Sequence, residues 1–146
     1  MTLNLDATDA ARNMLHTRLA LAVRPGPLTL FYPKWIPGEH TPTGTIDDLV
    51  GLKLSAGGKP ITWRRDDVEM FAFHCDIPQG VTVLNVTFDD VSQPETTASA
   101  KLARIKWNRV LVYPEGTNSD AISVKASLKL PAGWRFASAL PVASEN

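Results

Sequence analysis

Apolar and polar side chains alternate residue by residue along most of this chain, and no 3.6-residue period persists over any segment. Ile122, Val124, Ala126, Leu128 and Leu130 oppose Ser123, Lys125, Ser127 and Lys129, nine consecutive positions without an exception. Successive side chains of a strand point to opposite faces, so this run predicts a half-buried strand. The same period places Leu15, Leu19, Leu21 and Val23 against His16, Arg18, Ala20 and Ala22, and Leu52, Leu54 and Ala56 against Lys53 and Ser55. It recurs at Leu84, Val86 and Phe88 within a strand predicted over 81–88. Further strands are expected at 28–32, 61–64, 70–77 and 134–137.

Between these runs the turn chemistry is explicit. Arg24-Pro25-Gly26-Pro27 stops the first strand, and so short a link makes the next strand its expected antiparallel neighbour. Gly57-Gly58 supplies the positive φ values of a tight hairpin, and Pro78-Gln79-Gly80 reads as the turn of another. Residues 89–100 carry acids, Ser, Thr, Gln and Pro with little apolar content and read as an exposed loop. Residues 102–113 are rich in β-branched and aromatic side chains and read as a strand, though 102–112 also fit a short helix passing into one. Residues 1–11 are polar and aperiodic, and read as a flexible tail unless they pair at a sheet edge. The prediction is an all-β fold, an antiparallel β-sandwich of about nine strands with little or no helix, over residues 12–146; an open barrel is the related alternative. Its expected core is Leu30, Trp35, Leu54, Trp63, Phe73, Leu84, Phe88, Trp107, Val124, Leu128 and Trp134.

Composition narrows the function classes. At 146 residues the chain suits one domain that needs no disulfide staples. Fifteen Lys and Arg against fifteen Asp and Glu give no basic stripe for nucleic acid. The single Cys75 has no partner for an internal disulfide and reads as a small buried hydrophobe between Phe73 and Ile77. No apolar run approaches the roughly 20 residues that cross a bilayer, and no basic segment followed by an apolar one marks a leader at the N-terminus. A soluble chain is expected.

The densest chemistry lies in Tyr32-Pro33-Lys34-Trp35-Ile36-Pro37-Gly38-Glu39-His40. Two prolines fix the backbone on either side of the indole and Gly38 frees it for a sharp turn. One reading seats Trp35 in the core as a corner; the other makes it part of a binding site. Glu39 and His40 lie on a loop, where functional residues concentrate. They either contact a substrate or another domain, or simply cap the turn. Arg64-Arg65-Asp66-Asp67 reads as a self-neutralised hairpin end or, through Arg65 and Asp66, as a turn-fixing or interdomain contact.

This segment, with Gly44, Gly57-Gly58-Lys59-Pro60, Trp63-Arg64-Arg65-Asp66, Met70-Phe71-Ala72-Phe73, Pro78-Gln79-Gly80 and Trp107-Asn108-Arg109-Val110-Leu111-Val112-Tyr113-Pro114, resembles the N-terminal domain of glycyl-aminopeptidase-type zinc metallopeptidases of the gluzincin clan (family M sixty-one). The resemblance covers roughly residues 9–143. It implies a β-rich, non-catalytic domain that precedes a thermolysin-like zinc domain, often with a PDZ domain after that. Zinc is then expected only in the missing peptidase domain, which becomes this chain's partner. Trp35, Glu39, His40, Arg65 and Asp66 become candidates for substrate or interdomain contact. Many relatives resemble exported bacterial proteins, which makes a periplasmic parent with a removed signal one option. The family's domain runs on past the matched stretch, so an incomplete final sheet is expected, and with it a homodimer through an exposed edge or face.

The chain itself lacks the peptidase motif. His16, His40 and His74 are widely spaced, none is followed by Glu, and no amphipathic helix presents two histidines one turn apart. No catalytic residue and no metal ligand is assigned. Two rival readings remain: a free-standing β-sandwich module binding carbohydrate or protein, and a stand-alone hydrolase centred on Glu39 and His40.

Overall fold

A computed structural model describes residues 1–36, 38–91, 101–116 and 118–144. Among them ten strands form two layers. In chain order these are β1 (Thr2–Asp6), β2 (Leu15–Ala22), β3 (Gly26–Phe31), β4 (Leu49–Ala56), β5 (Lys59–Ile61), β6 (Trp63–Arg65), β7 (Ala72–Ile77), β8 (Val83–Asp90), β9 (Tyr113–Pro114) and β10 (Lys125–Lys129). One sheet runs β10-β1-β2-β8-β4-β5 and the other β6-β7-β3-β9. Every pairing is antiparallel except β1 with β10. The only described helical segments are four single 3-10 turns. The all-β sandwich is therefore as the alternation predicts.

The alternating faces meet between the layers. Leu19, Leu21, Leu54, Leu84, Val86 and Phe88 from the larger sheet pack towards Leu30, Phe73, Cys75 and Ile77 of the smaller one. Cys75 is buried, and burial raises its thiol pKa, so it behaves as an apolar side chain. Gly57 and Gly58 both take positive φ and close the β4–β5 hairpin.

Several expectations are corrected, and one physical reason covers most of them. The expected hairpin at Pro78-Gln79-Gly80 joins β7 and β8, which lie in different sheets, as do β2 and β3 on either side of Val23-Arg24-Pro25. Each pair shows its apolar face to the same core from opposite sides, which a hairpin within one sheet would not allow. The strand expected over 61–64 is likewise split, with β5 in one sheet and β6 in the other.

Residues 1–11 are not a loose tail. β1 pairs on both sides, and Leu3 and Leu5 are buried. Each buried leucine contributes roughly 2 kcal/mol, and two apolar positions were too few to stand out as a period. Residues 102–112 contain a 3-10 turn at Trp107–Arg109 in place of the favoured strand; apart from a single bridge at Ala103, strand pairing begins at Tyr113. Val110 and Val112 are buried there while Arg109 turns to meet two acids, and those tertiary contacts override local β propensity.

Three residues of the expected core, Trp35, Val124 and Trp134, lie outside it. Trp63, Trp107 and Leu128 pack against the core while only partly buried, Val124 is 40% exposed and Trp35 is 64% exposed. Trp134 is half-buried outside any strand. Gly133 makes the expected turn, with the Trp134 amide donating to the Pro131 carbonyl, but among the described residues no strand pairs with the segment that follows. Of the loop expected at 89–100, residues 89 and 90 belong to β8, and 92–100 lie outside the described residues.

Candidate functional site

The Trp35 corner is built by a close approach of backbone to backbone. After β3 the chain leaves the sheet at Tyr32, whose amide donates to the Phe71 carbonyl. It then loops out and returns so that the Gly44 amide donates to the Lys34 carbonyl at 3.0 Å. A Cβ at Gly44 would lie 2.3 Å from the Pro33 carbonyl oxygen, so only glycine allows this contact. Within the loop the Glu39 amide donates to the Ile36 carbonyl, and the Thr43 hydroxyl donates to the Glu39 carboxylate. Trp35 is thus held on a fixed backbone with its ring turned to solvent.

A second loop, between β6 and β7, runs alongside it. Asp66 organises this one: its Oδ1 accepts from the Val68 and Glu69 amides at 2.9 and 2.8 Å, and its Oδ2 lies 2.8 Å from His74 Nε2. These amide donors, with His74, hold the Asp66 carboxyl well below the usual carboxylate range. The other ring nitrogen of His74 lies 3.1 Å from the Thr29 hydroxyl on β3. The order carboxylate, imidazole, hydroxyl resembles a hydrolytic relay. Its acid, however, is committed to two backbone amides, and the chain of contacts fastens the loop to the face of the smaller sheet.

Lys34 joins the two loops. Its ammonium lies 2.6 Å from the Glu69 carboxylate and 5.6 Å from the centre of the Phe71 ring. The Lys34 hydrogen bond, then the Phe71 amide, lower the Glu69 pKa. On either side of Glu69 are Val68, 94% exposed, and Met70, 51% exposed. Two clamped loops therefore present three large apolar side chains, Trp35, Val68 and Met70, to solvent. Preorganised apolar groups of this kind suit a contact with another surface.

The five candidate residues divide accordingly. Trp35 and Asp66 lie on the paired loops, one as a presented side chain and the other as a loop fastener. Arg65 is exposed and lays its guanidinium 5.6 Å from the Phe73 ring centre. Glu39 bonds to Thr43, and His40 is exposed without a hydrogen-bond partner among the described residues. No hydrogen bond joins Glu39 or His40 to Arg65 or Asp66. Sequence reasoning missed Lys34, Glu69 and the outward-facing Val68 and Met70. Lys34 lay within the densest motif, but its distant partner left no local signal.

A second polar cluster, also missed, is buried at the end of the sandwich. Arg109 Nη2 donates to Asp48 and, at 3.2 Å, to Asp90, and the Arg109 carbonyl accepts from the Tyr32 hydroxyl. Burial opposes the charge of Arg109, but the two aspartates outweigh it and raise its pKa. Burial likewise raises the Tyr32 pKa and keeps the phenol neutral. Among the described residues no group of three or more His, Cys, Asp or Glu could hold a metal ion.

Comparison with known proteins adds the context. A search of curated proteins finds no match. The crystal structure of an aminopeptidase N family protein from Idiomarina loihiensis superimposes with a TM-score of 0.72 over 90% of this chain, at 14% identity. At that identity the likeness is one of fold. This chain spans 22% of that protein's length. Residues 2–146 match the sequence model described as the Peptidase M61 N-terminal domain, and the chain belongs to that family.

Proposed function

We propose that this chain is the non-catalytic N-terminal domain of an aminopeptidase-like zinc metallopeptidase and packs on the peptidase domain through the corner carrying Trp35, Val68 and Met70. The observation that carries the reading is the pairing of a family assignment with a rigid, uncovered apolar corner. Trp35 is 64% exposed on a loop locked by Gly44 and by the Lys34–Glu69 pair. A solvated tryptophan held this firmly gains free energy only when something covers it. Hydrolysis and zinc belong, on this reading, to the remainder of the parent protein. Glu39, His40 and Arg65 form the polar surroundings of the contact and edge the substrate cleft. Among the described residues no helix is long and apolar enough to cross a membrane.

The coding sequence downstream supplies the first test. A segment bearing H-E-x-x-H in the same frame supports the reading, and its absence removes the main support. With that segment produced as a separate polypeptide, Trp35→Ser is expected to weaken association by about 2 kcal/mol, the scale of a central aromatic anchor. Unchanged affinity in a Trp35→Ser, Met70→Ser double variant places the contact elsewhere.

A further inference from the structure

The outward face of the six-stranded sheet, away from the Trp35 corner, is concave. Between Val50 and Lys53 the β4–β8 register shifts, and Gly51 takes a φ of 65° with open space where a Cβ would stand. Such a bulge bends its strand and deepens the twist. The result is a groove of about 480 Å³ lined by His16, Arg18, Lys53, Asn85, Thr87 and Asp89.

Its charge is uneven. Cross-strand registers align Ser127, Asn4, Arg18, Thr87 and Lys53 in one row over the sheet. The row holds two cations and no carboxylate. Neither Arg18 nor Lys53 forms an ion pair among the described residues. The acids of the neighbouring row are already engaged: Asp89 lies 2.8 Å from His16 Nδ1, and Asp6 pairs with Lys129 at 3.0 Å. Asp9, 3.3 Å from His16 Nε2, closes that side. Two strand spacings separate Arg18 from Lys53, about 10 Å between their backbones, so both long side chains can converge over Thr87.

We infer that this groove binds an extended peptide segment through an acidic side chain, Arg18 and Lys53 gripping the carboxylate while Thr87 and Asn85 donate from the floor. A guanidinium matches a carboxylate with two parallel hydrogen bonds, and the two cations of this row attract an anion. A groove of 480 Å³, open along the sheet, is roomier than one small ion requires and accommodates the chain on either side of the acid. The inference does not depend on the peptidase assignment.

Titration of the 146-residue chain with a capped hexapeptide of alternating Glu and Gly, followed by calorimetry and amide chemical shifts, tests it. Saturable binding with shifts centred on Thr87 is expected, with the Gln counterpart at least about tenfold weaker. An Arg18→Ser, Lys53→Ser double variant changes only exposed positions, and circular dichroism verifies its fold. It is expected to lose about tenfold or more in affinity. The inference is overturned by no binding at millimolar peptide, by equal affinity for the Gln peptide, or by an unaffected double variant. Displacement of the peptide by equimolar inorganic phosphate also overturns it, since the site would then select a small oxyanion.

Discussion

The Arg109 cluster and the Lys34–Glu69 pair are both made of opposite charges drawn from distant parts of the chain, yet their surroundings assign them different work. Asp90 is 2% exposed and Arg109 stands between it and Asp48, so each charge there depends on the others for the solvation it has lost. Lys34 and Glu69 keep about a third of their side-chain surface in water, and solvent screens much of their attraction. The buried cluster locks the end of β8, the turn before β4 and the turn after Lys106 into one arrangement. The exposed pair fixes where two loops lie relative to each other and leaves their apolar residues outside. Burial, more than the chemistry of the pair, separates a contact that holds the fold from one that aims a surface.

Removing the guanidinium puts the largest strain on this distinction. Arg109→Met takes the cation from between two buried carboxylates, and is expected to cost about 3–5 kcal/mol, read from urea unfolding followed by tryptophan fluorescence. A loss below about 1 kcal/mol would place the cluster with ordinary surface pairs.

Gly44→Ala sharpens the comparison from the other side, because it attacks the corner through packing. The new Cβ meets the Pro33 carbonyl oxygen at 2.3 Å, and backbone on both sides leaves neither partner free to swing away. A destabilisation of about 1–3 kcal/mol is expected, together with altered chemical shifts for the Trp35 indole. If the variant unfolds at the same denaturant concentration with an unchanged indole signal, the close approach is not what holds the loop.

How much of this was legible in the sequence follows from the range of each cause. The β4–β5 hairpin could be read because Gly57-Gly58 and the flanking alternation are local. That β7 and β8 lie in different sheets could not, since alternation says which face is apolar but not which partner strand accepts it. The tight spot at Gly44 was marked only by the identity of the residue. The outward turn of Trp35 and the clustering of Arg109 with Asp48 and Asp90 depend on partners up to 61 residues away, which composition and spacing do not encode. A tryptophan between two prolines is compatible with either a buried corner or a presented one. In this fold Tyr32 and Phe71 are the buried aromatics of the region, and Trp35 is 64% exposed.

The smallest expected effect on stability, and the most local, is at Asp66. Its carboxylate accepts the Val68 and Glu69 amides and faces His74, and these contacts depress its pKa below the unfolded value. A depressed pKa contributes stability above the unfolded value and loses it as pH falls through the folded one. The Val68 and Glu69 amides should therefore stay protected from hydrogen exchange at acidities where an ordinary aspartate is already protonated, and lose protection only below that. Asp66→Ala removes the acceptor at every pH. Exchange at these two amides should rise by about tenfold or more while the unfolding midpoint barely moves, since local opening of a surface loop costs far less than global unfolding. A large shift of the midpoint with unchanged exchange would give Asp66 the part that Arg109 plays, and would dissolve the contrast between a buried knot that holds the fold and exposed contacts that aim a loop.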